Sequence, residues 1–198
     1  TDVPVLYQSG ERATIRSAIG DLPVPPEDYS EHPDLANHIK CRISAENERR
    51  IACVPPGGGW QDIPMELRLP CHQVETPKAG GWPDVYGRLE WEGQCPTLTA
   101  GFDSFSRGRY GHPEQDRSLT LREGARLQGF PDDFRFYGNR GDIRLQIGNA
   151  VPPPLAKAVG DAVRRVLAEK EPDSKERIQW PKEREERSIM ESQLTFAV

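Results

Sequence analysis

Arg117-Ser-Leu-Thr-Leu-Arg-Glu-Gly-Ala-Arg-Leu-Gln-Gly-Phe-Pro-Asp-Asp-Phe134 is followed downstream by Gln146-Ile-Gly-Asn-Ala-Val-Pro-Pro-Pro-Leu-Ala156. In the first segment Thr120 and Glu123 stand at the spacing of a capping box. There the threonine hydroxyl accepts from the N–H three residues on, while the glutamate reaches back to the cap's own N–H. A helix is predicted over 121–128, with Gly129 at the left-handed position beyond its end and Pro131 barring continuation. In the second segment Pro152-Pro-Pro154 opens another helix, because proline is tolerated in a first turn. Leu155, Val159, Ala162, Val163, Val166 and Leu167 then recur at helical spacing. Such a stripe requires a layer to cover it.

Outward from these segments the signals weaken. Thr14 to Ile19 reads as a short helix, capped by Thr14 and stopped by Gly20. Prolines interrupt 23–33, and 40–54 holds a second helix candidate around Ile43 and Ile51. Pro55-Pro-Gly-Gly-Gly-Trp60 is a sharp loop, and short strands are predicted over 85–91 and 97–102. Beyond Lys170 a dense run of charges reads as a disordered tail.

A chain of 198 residues suits one or two small domains, and 18 Gly with 19 Pro favour an irregular, loop-rich body. No apolar run is long enough to span a bilayer and the first residues do not read as a signal peptide, so a cytoplasmic location is expected. Cys41, Cys53, Cys71 and Cys95 lack metal-ligand or disulfide-framework spacing and are expected as free thiols. The net charge of −5 speaks against a purely electrostatic nucleic-acid binder. Residues 101–150 nevertheless carry eight Arg, no Lys and seven acids. Arginine's planar fork suits phosphates and guanine edges, although any one of these arginines also reads as part of a solvated, salt-bridged surface.

The two quoted segments resemble the ninth and tenth motifs of the cytosine-5 DNA methyltransferases. Gly80-Gly-Trp-Pro-Asp-Val-Tyr-Gly-Arg88 with Cys95-Pro-Thr-Leu-Thr-Ala100 is similar to that family's target-recognition region, and Thr14 to Pro23 is similar to the segment after its eighth motif. The resemblance covers roughly residues 12 to 168. It implies an α+β fold: a small, irregular target-recognition domain with short strands, plus C-terminal helices that complete a Rossmann-like α/β S-adenosylmethionine-dependent methyltransferase domain largely absent from this chain. The implied divisions are 1–38 (linker and short helix), 39–116 (target recognition), 117–170 (ninth and tenth motif helices) and 171–198 (tail).

Cytosine-5 chemistry requires the base to be swung out of the duplex, so the neighbouring backbone must be gripped by hydroxyls and arginines. By resemblance Thr97 is the threonine that contacts phosphate beside the flipped cytosine, and Thr99 lies on the same face. Trp82, Asp84 and Arg88 on one loop, and Arg107 and Arg109 on another, are candidates for contact with double-stranded DNA; the arginines suit guanine edges or phosphate alike, and Trp82 suits a structural role equally. Arg117, Arg122, Glu123 and Arg126 are expected to dock the recognition region through ion pairs, with phosphate contact the competing role for Arg117. Asn149 and Ala150 are the candidates for S-adenosylmethionine, whose pocket would be shared with an N-terminal half.

The family's mechanism attacks carbon 6 of cytosine with a thiolate from a Pro-Cys-Gln motif, supported by a glutamate from Glu-Asn-Val. Pro70-Cys71-His72-Gln73 and Glu46-Asn47-Glu48 imitate these motifs in the wrong order and after the segment that should follow both. Gly57-Gly-Gly59 follows two prolines and no strand, so it reads as a turn and not as a cofactor loop. No catalytic residue and no metal site is expected in this chain. The leading reading is therefore the DNA-recognition and cofactor-pocket-completing part of a DNA (cytosine-5-)-methyltransferase, of the bacterial restriction-modification type, dependent on an N-terminal catalytic half and inactive alone. The alternatives are a catalytically inactive sequence-reading module, or a portion of an RNA cytosine-5 methyltransferase.

Overall fold

The computed structural model describes residues 12–73 and 83–169. Among them are five α-helices: α1 (Ile15–Ile19), α2 (Ala45–Ala52), α3 (Leu121–Leu127), α4 (Arg140–Gly148) and α5 (Pro153–Glu169). Single turns of 3-10 helix lie at Trp60–Asp62, Met65–Leu67, Pro70–His72 and Phe105–Arg107. Two compact units divide the chain, one ending at Val159 and the other beginning at Gly160. The described part of the second unit is the end of α5, where Arg164 pairs with Asp161 at 3.0 Å. The charged tail expected over 171–198 lies outside the described residues.

The helix starts follow local chemistry. The Thr120 hydroxyl accepts from Glu123 N at 3.1 Å, and Glu123 Oε2 accepts from Thr120 N at 2.8 Å. Gly129 takes φ +83° after the helix. Thr14 and Ser17 cap α1 in the same reciprocal way, and Ser44 confines the second candidate to Ala45–Ala52. Each such cap contributes about 1 kcal/mol. Helix α4 was not expected from its sequence. Its start is signalled by Asn139, which accepts from Gly141 N and Asp142 N, while Asp142 reaches back to Asn139 N at 3.0 Å. Ile143 and Ile147, four apart, form its buried face.

The expected short strands do not form. Among the described residues no strand occurs, only isolated bridges pairing Arg88 with Gly111 and Gly111 with Ser118. Tyr86 at φ +54° and Gly108 at φ +152° bend the chain where pairing would have to continue. In place of a neighbouring strand, residues 97–99 meet the side-chain hydroxyl of Tyr110. The described residues form helices and loops, without the short strands of the α+β expectation.

Two clusters form the core. One joins Ile15 and Ile19 of α1 with Leu89, Leu98, Phe102, Leu121 and Ile147, so it draws on 1–38, 39–116 and 117–170 together. A Cβ at Gly124 would lie 2.2 Å from Phe102 Cε2, so only glycine lets α3 approach this ring. The other cluster packs Ile51, Val54, Trp60, Ile63, Tyr86 and Phe105, and lies wholly within 39–116. The α5 stripe is largely exposed: Leu155, Val159, Val163 and Leu167 are 49%, 41%, 52% and 68% accessible.

The ninth-motif charges turn inward. Arg117, 1% exposed, grips Glu123 at both oxygens, with Nη1–Oε2 at 2.8 Å and Nη2–Oε1 at 2.7 Å. Burial alone would raise the Glu123 carboxyl, but the Arg117 hydrogen bonds and charge outweigh it and hold the group below the usual carboxylate range. Arg122, fully buried, donates to the carbonyls of Ala36, Pro131 and Phe134. Arg126 forms a bidentate pair with Asp132 and reaches Asp21 beyond α1. These groups bind the chain to itself.

Two buried histidines complete the network. His38 Nε2 donates to Pro23 O at 2.7 Å, so in the neutral ring Nδ1 accepts the Thr120 hydroxyl proton at 3.0 Å. His112 Nδ1 accepts from Glu114 N and Gln115 N, turning Nε2 toward Glu123 at 3.9 Å. Burial pushes His112 down from 6.5 to about 4, despite attraction from Glu123.

Glu123→Gln, which leaves Arg117 buried without its carboxylate, should cost about 3–5 kcal/mol in urea unfolding; a loss under about 1 kcal/mol would show that the pair is not essential to the fold. The pH dependence follows from a lowered histidine. Above 6.5 neither folded nor unfolded His112 is charged, and as the pH falls from 6.5 to about 4 only the unfolded chain takes up the proton. Stability should therefore drop across that window, by up to about 3 kcal/mol at 1.4 kcal/mol per pH unit. His112→Asn should flatten this part of a melting-temperature profile; an unchanged profile would assign the acid sensitivity elsewhere.

Candidate nucleic-acid interface

The segment Pro96-Thr-Leu-Thr-Ala100 runs extended without belonging to a sheet, and its side chains still alternate: Leu98 is buried while Thr97 and Thr99 are exposed. Three contacts hold it. Leu98 enters the core. The buried Tyr110 hydroxyl donates to Thr97 O at 2.9 Å and lies 3.3 Å from Thr99 N and 3.2 Å from Thr99 Oγ1. From the other side comes the end of α4, where a Cβ on Gly148 would fall 2.5 Å from Ala100 N and 2.6 Å from Thr99 C. The tenth-motif glycine is therefore the seat of the threonine segment.

Beside Thr97 opens a groove of about 590 Å³, walled by Asp84, Pro96, Thr97, Ser106, Arg107 and Arg109 among others. Four candidates from different parts of the sequence, Asp84, Thr97, Arg107 and Arg109, thus line one groove. Their roles differ. Arg107 is exposed, and its guanidinium makes no hydrogen bond or ion pair among the described residues. Its stem lies across Gly101, where a Cβ would stand 2.1 Å from Arg107 Cδ. Arg109 is tethered: Nη1 donates to the Gly57 and Gly58 carbonyls at 2.7 and 2.5 Å, and Nε lies 3.4 Å from Asp84. The Gly57–Gly59 loop is the expected turn, closed by Gly58 N→Pro55 O at 2.9 Å.

Arg88 does not face this groove. It is 3% exposed, and its five N–H donors reach the carbonyls of Ile51, Val54, His112 and Gln115 and the Asp116 carboxylate. It is a buried crosslink, and the expectation of a DNA contact from it is corrected. Trp82 lies outside the described residues. Tyr110 went unassigned from sequence because its partners are a carbonyl and an amide, which leave no pattern in side-chain identity.

Asn149 and Ala150 end α4 and line none of the hollows that hold the DNA candidates. Their backbone N–H groups are taken by Leu145 O and Ile147 O, which leaves the exposed Asn149 carboxamide as the polar group on offer. A carboxamide can donate and accept, which suits the amino-acid or ribose groups of S-adenosylmethionine, as one edge of a pocket. Among the thiols, burial pushes Cys95 up to about 12 and raises Cys41, which keeps both protonated. Cys71 is exposed on the Pro70–His72 turn. No cluster of three metal-ligating side chains occurs among the described residues.

The sequence matches the C-5 cytosine-specific DNA methylase family over residues 9–165, and the chain belongs to that family. It is 37% identical over 170 residues to a type II methylase of Herpetosiphon aurantiacus, covering 83% of this chain and 47% of that protein. It is also 37% identical over 190 residues to DNA (cytosine-5)-methyltransferase 1A of Oryza sativa subsp. japonica, covering 78% of this chain and 12% of that one. An E. coli prophage-encoded protein of solved structure, described as a DNA modification methyltransferase, is 28% identical over 65% of this chain and 28% of its own, at a TM-score of 0.43. The chain thus spans about half of the bacterial relative, or less of the others. Among the described residues no helix is long and apolar enough to cross a membrane.

Gly148→Ala tests the seat. At a helix end the change would ordinarily be neutral or stabilising by up to about 1 kcal/mol, but here the methyl meets backbone, and overpacking costs about 1–3 kcal/mol. The expected outcome is a net loss of stability with accelerated amide exchange at Thr99 and Ala100. Unchanged exchange at both would show that α4 does not set the position of this segment.

Proposed function

We propose that this chain is the DNA-recognition and cofactor-pocket-completing part of a DNA (cytosine-5-)-methyltransferase, of the type that serves bacterial restriction-modification, and that it works with an N-terminal catalytic half. The observation that carries this reading is the groove in which Thr97, Arg107, Arg109 and Asp84 converge. Chemistry on a stacked cytosine needs the base extruded and the flanking phosphates held. Thr97 presents an exposed hydroxyl on a backbone clamped by Tyr110 and Gly148, so a phosphate meets a donor that is already placed. Arg107 supplies an unengaged guanidinium to the same groove, and Asp84 holds Arg109 beside it. Residues 39–116 carry this recognition surface and 117–170 support it. Arg88 is left out of the set.

S-adenosylmethionine, when bound, supplies the methyl group as a sulfonium; Asn149 and Ala150 would meet it at one edge, and the rest of the pocket would come from the other half. Two observations favour a separate catalytic half. The raised thiols of Cys41 and Cys95 are poor sources of a thiolate. The α5 stripe presents Leu155, Val159, Val163 and Leu167 to solvent at 41–68% accessibility, an apolar face of the kind a neighbouring layer covers.

The test is reconstitution. The chain alone should transfer no methyl group from S-adenosylmethionine to duplex DNA, whereas its mixture with a polypeptide carrying the Pro-Cys-Gln and Glu-Asn-Val motifs should do so. Cys71→Ser should leave the reconstituted activity unchanged. Failure of every cognate mixture would sink the proposal, and loss of activity in a folded Cys71→Ser variant would return the nucleophile to this chain.

A further inference from the structure

We propose that Arg42, Arg140 and Arg144, gathered around Asp103, form a second phosphate-binding patch that continues the Thr97–Arg107 groove and takes the sugar–phosphate backbone of the duplex beyond the target base; this rests on the duplex-binding reading above. Beside the first groove lie two smaller hollows, of about 320 and 310 Å³. Ser106 walls both the groove and the first hollow, and Arg42 and Asp103 wall both hollows. The three therefore form a row with shared walls, a shape suited to a running chain of phosphates.

The row is basic although the chain is not. Arg42, Arg107, Arg109, Arg140 and Arg144 line it against Asp84 and Asp103, in a protein of net charge −5. Lys40 also lines the third hollow and is matched by Glu27 at 2.5 Å. Asp103 cannot neutralise its neighbours, since its single carboxylate is shared by Arg140 at 3.2 Å and Arg144 at 3.6 Å. Arg42 has no hydrogen-bond or ion-pair partner among the described residues. Its guanidinium lies over the Tyr29 ring, 4.4 Å from the centroid, and the residue is exposed, so a cation–π contact holds it while its N–H donors are left without acceptors among the described residues. Arg144 Nε is buried with no acceptor, a state that folded proteins ordinarily avoid. Ser44 and Ser104 place hydroxyls in the same hollow. Forked donors, hydroxyls and an excess of positive charge are the elements of non-specific phosphate contact.

The experiment measures binding of the full chain, alone and with the catalytic half, to duplex DNA by fluorescence anisotropy across a salt series. Each phosphate contact removed should lower the slope of log affinity against log salt by about 0.9. Arg42→Gln should lower it by one such step and Arg42→Gln with Arg144→Gln by about two, equally for duplexes of different sequence. Arg42 is exposed and makes no hydrogen bond to the described residues, so its single variant carries the test even where Arg144→Gln lowers stability. Intact wild-type binding with an unchanged slope in Arg42→Gln overturns the patch and leaves the groove reading standing. A loss confined to one sequence also overturns it, because base reading would then be the role of these arginines. No duplex binding by the wild-type chain in either form overturns both.

Discussion

The Arg117–Glu123 pair is the charged centre on which the network around the start of α3 depends. Both carboxylate oxygens are held by the guanidinium, and one also closes the cap of α3 through Thr120 N. The Thr120 hydroxyl passes the connection to His38 and so to Pro23, while His112 faces the same glutamate from the other side. Two charges with 2% exposed side chains are stable only when every donor and acceptor is met. That condition fixes α3, and with it Arg122 and Arg126, whose partners lie in the loops before and after it. In this chain the charges of 117–126 act as internal framework.

On that framework the threonine segment is held without a sheet. A strand would distribute the constraint over a ladder of backbone bonds; here one buried tyrosine hydroxyl, one leucine and one glycine contact perform it. The glycine comes from α4, so the position of Thr97 depends on a helix more than forty residues further along the chain. The same α4 carries Arg140 and Arg144 toward Asp103, which couples the second basic patch to the groove through a single helix.

Much of the local structure was legible in the residues. The capping box at Thr120, the N-cap at Thr14 and the stop at Gly129 stand where the sequence placed them, because each rests on groups within four residues. The start of α4 obeys the same chemistry with Asn139 and Asp142, and Gly141 in its first turn obscured the pattern. The strands failed for the opposite reason: β-prone residues at 85–91 and 97–102 favour extension, but pairing needs a neighbour, and the left-handed bends at Tyr86 and Gly108 remove it.

The sequence by itself determined the family and the starts of α1 and α3, since motif identity and capping are local. Only the tertiary structure decided which arginine does what. Arg88, Arg107 and Arg109 are equivalent on paper, yet one is buried with five acceptors, one is unengaged on a groove wall, and one is tied to a glycine turn. The difference is set by carbonyls brought from as far as residue 51, and a backbone carbonyl is the same group under every side chain. No pattern of residue types announces where those acceptors will gather.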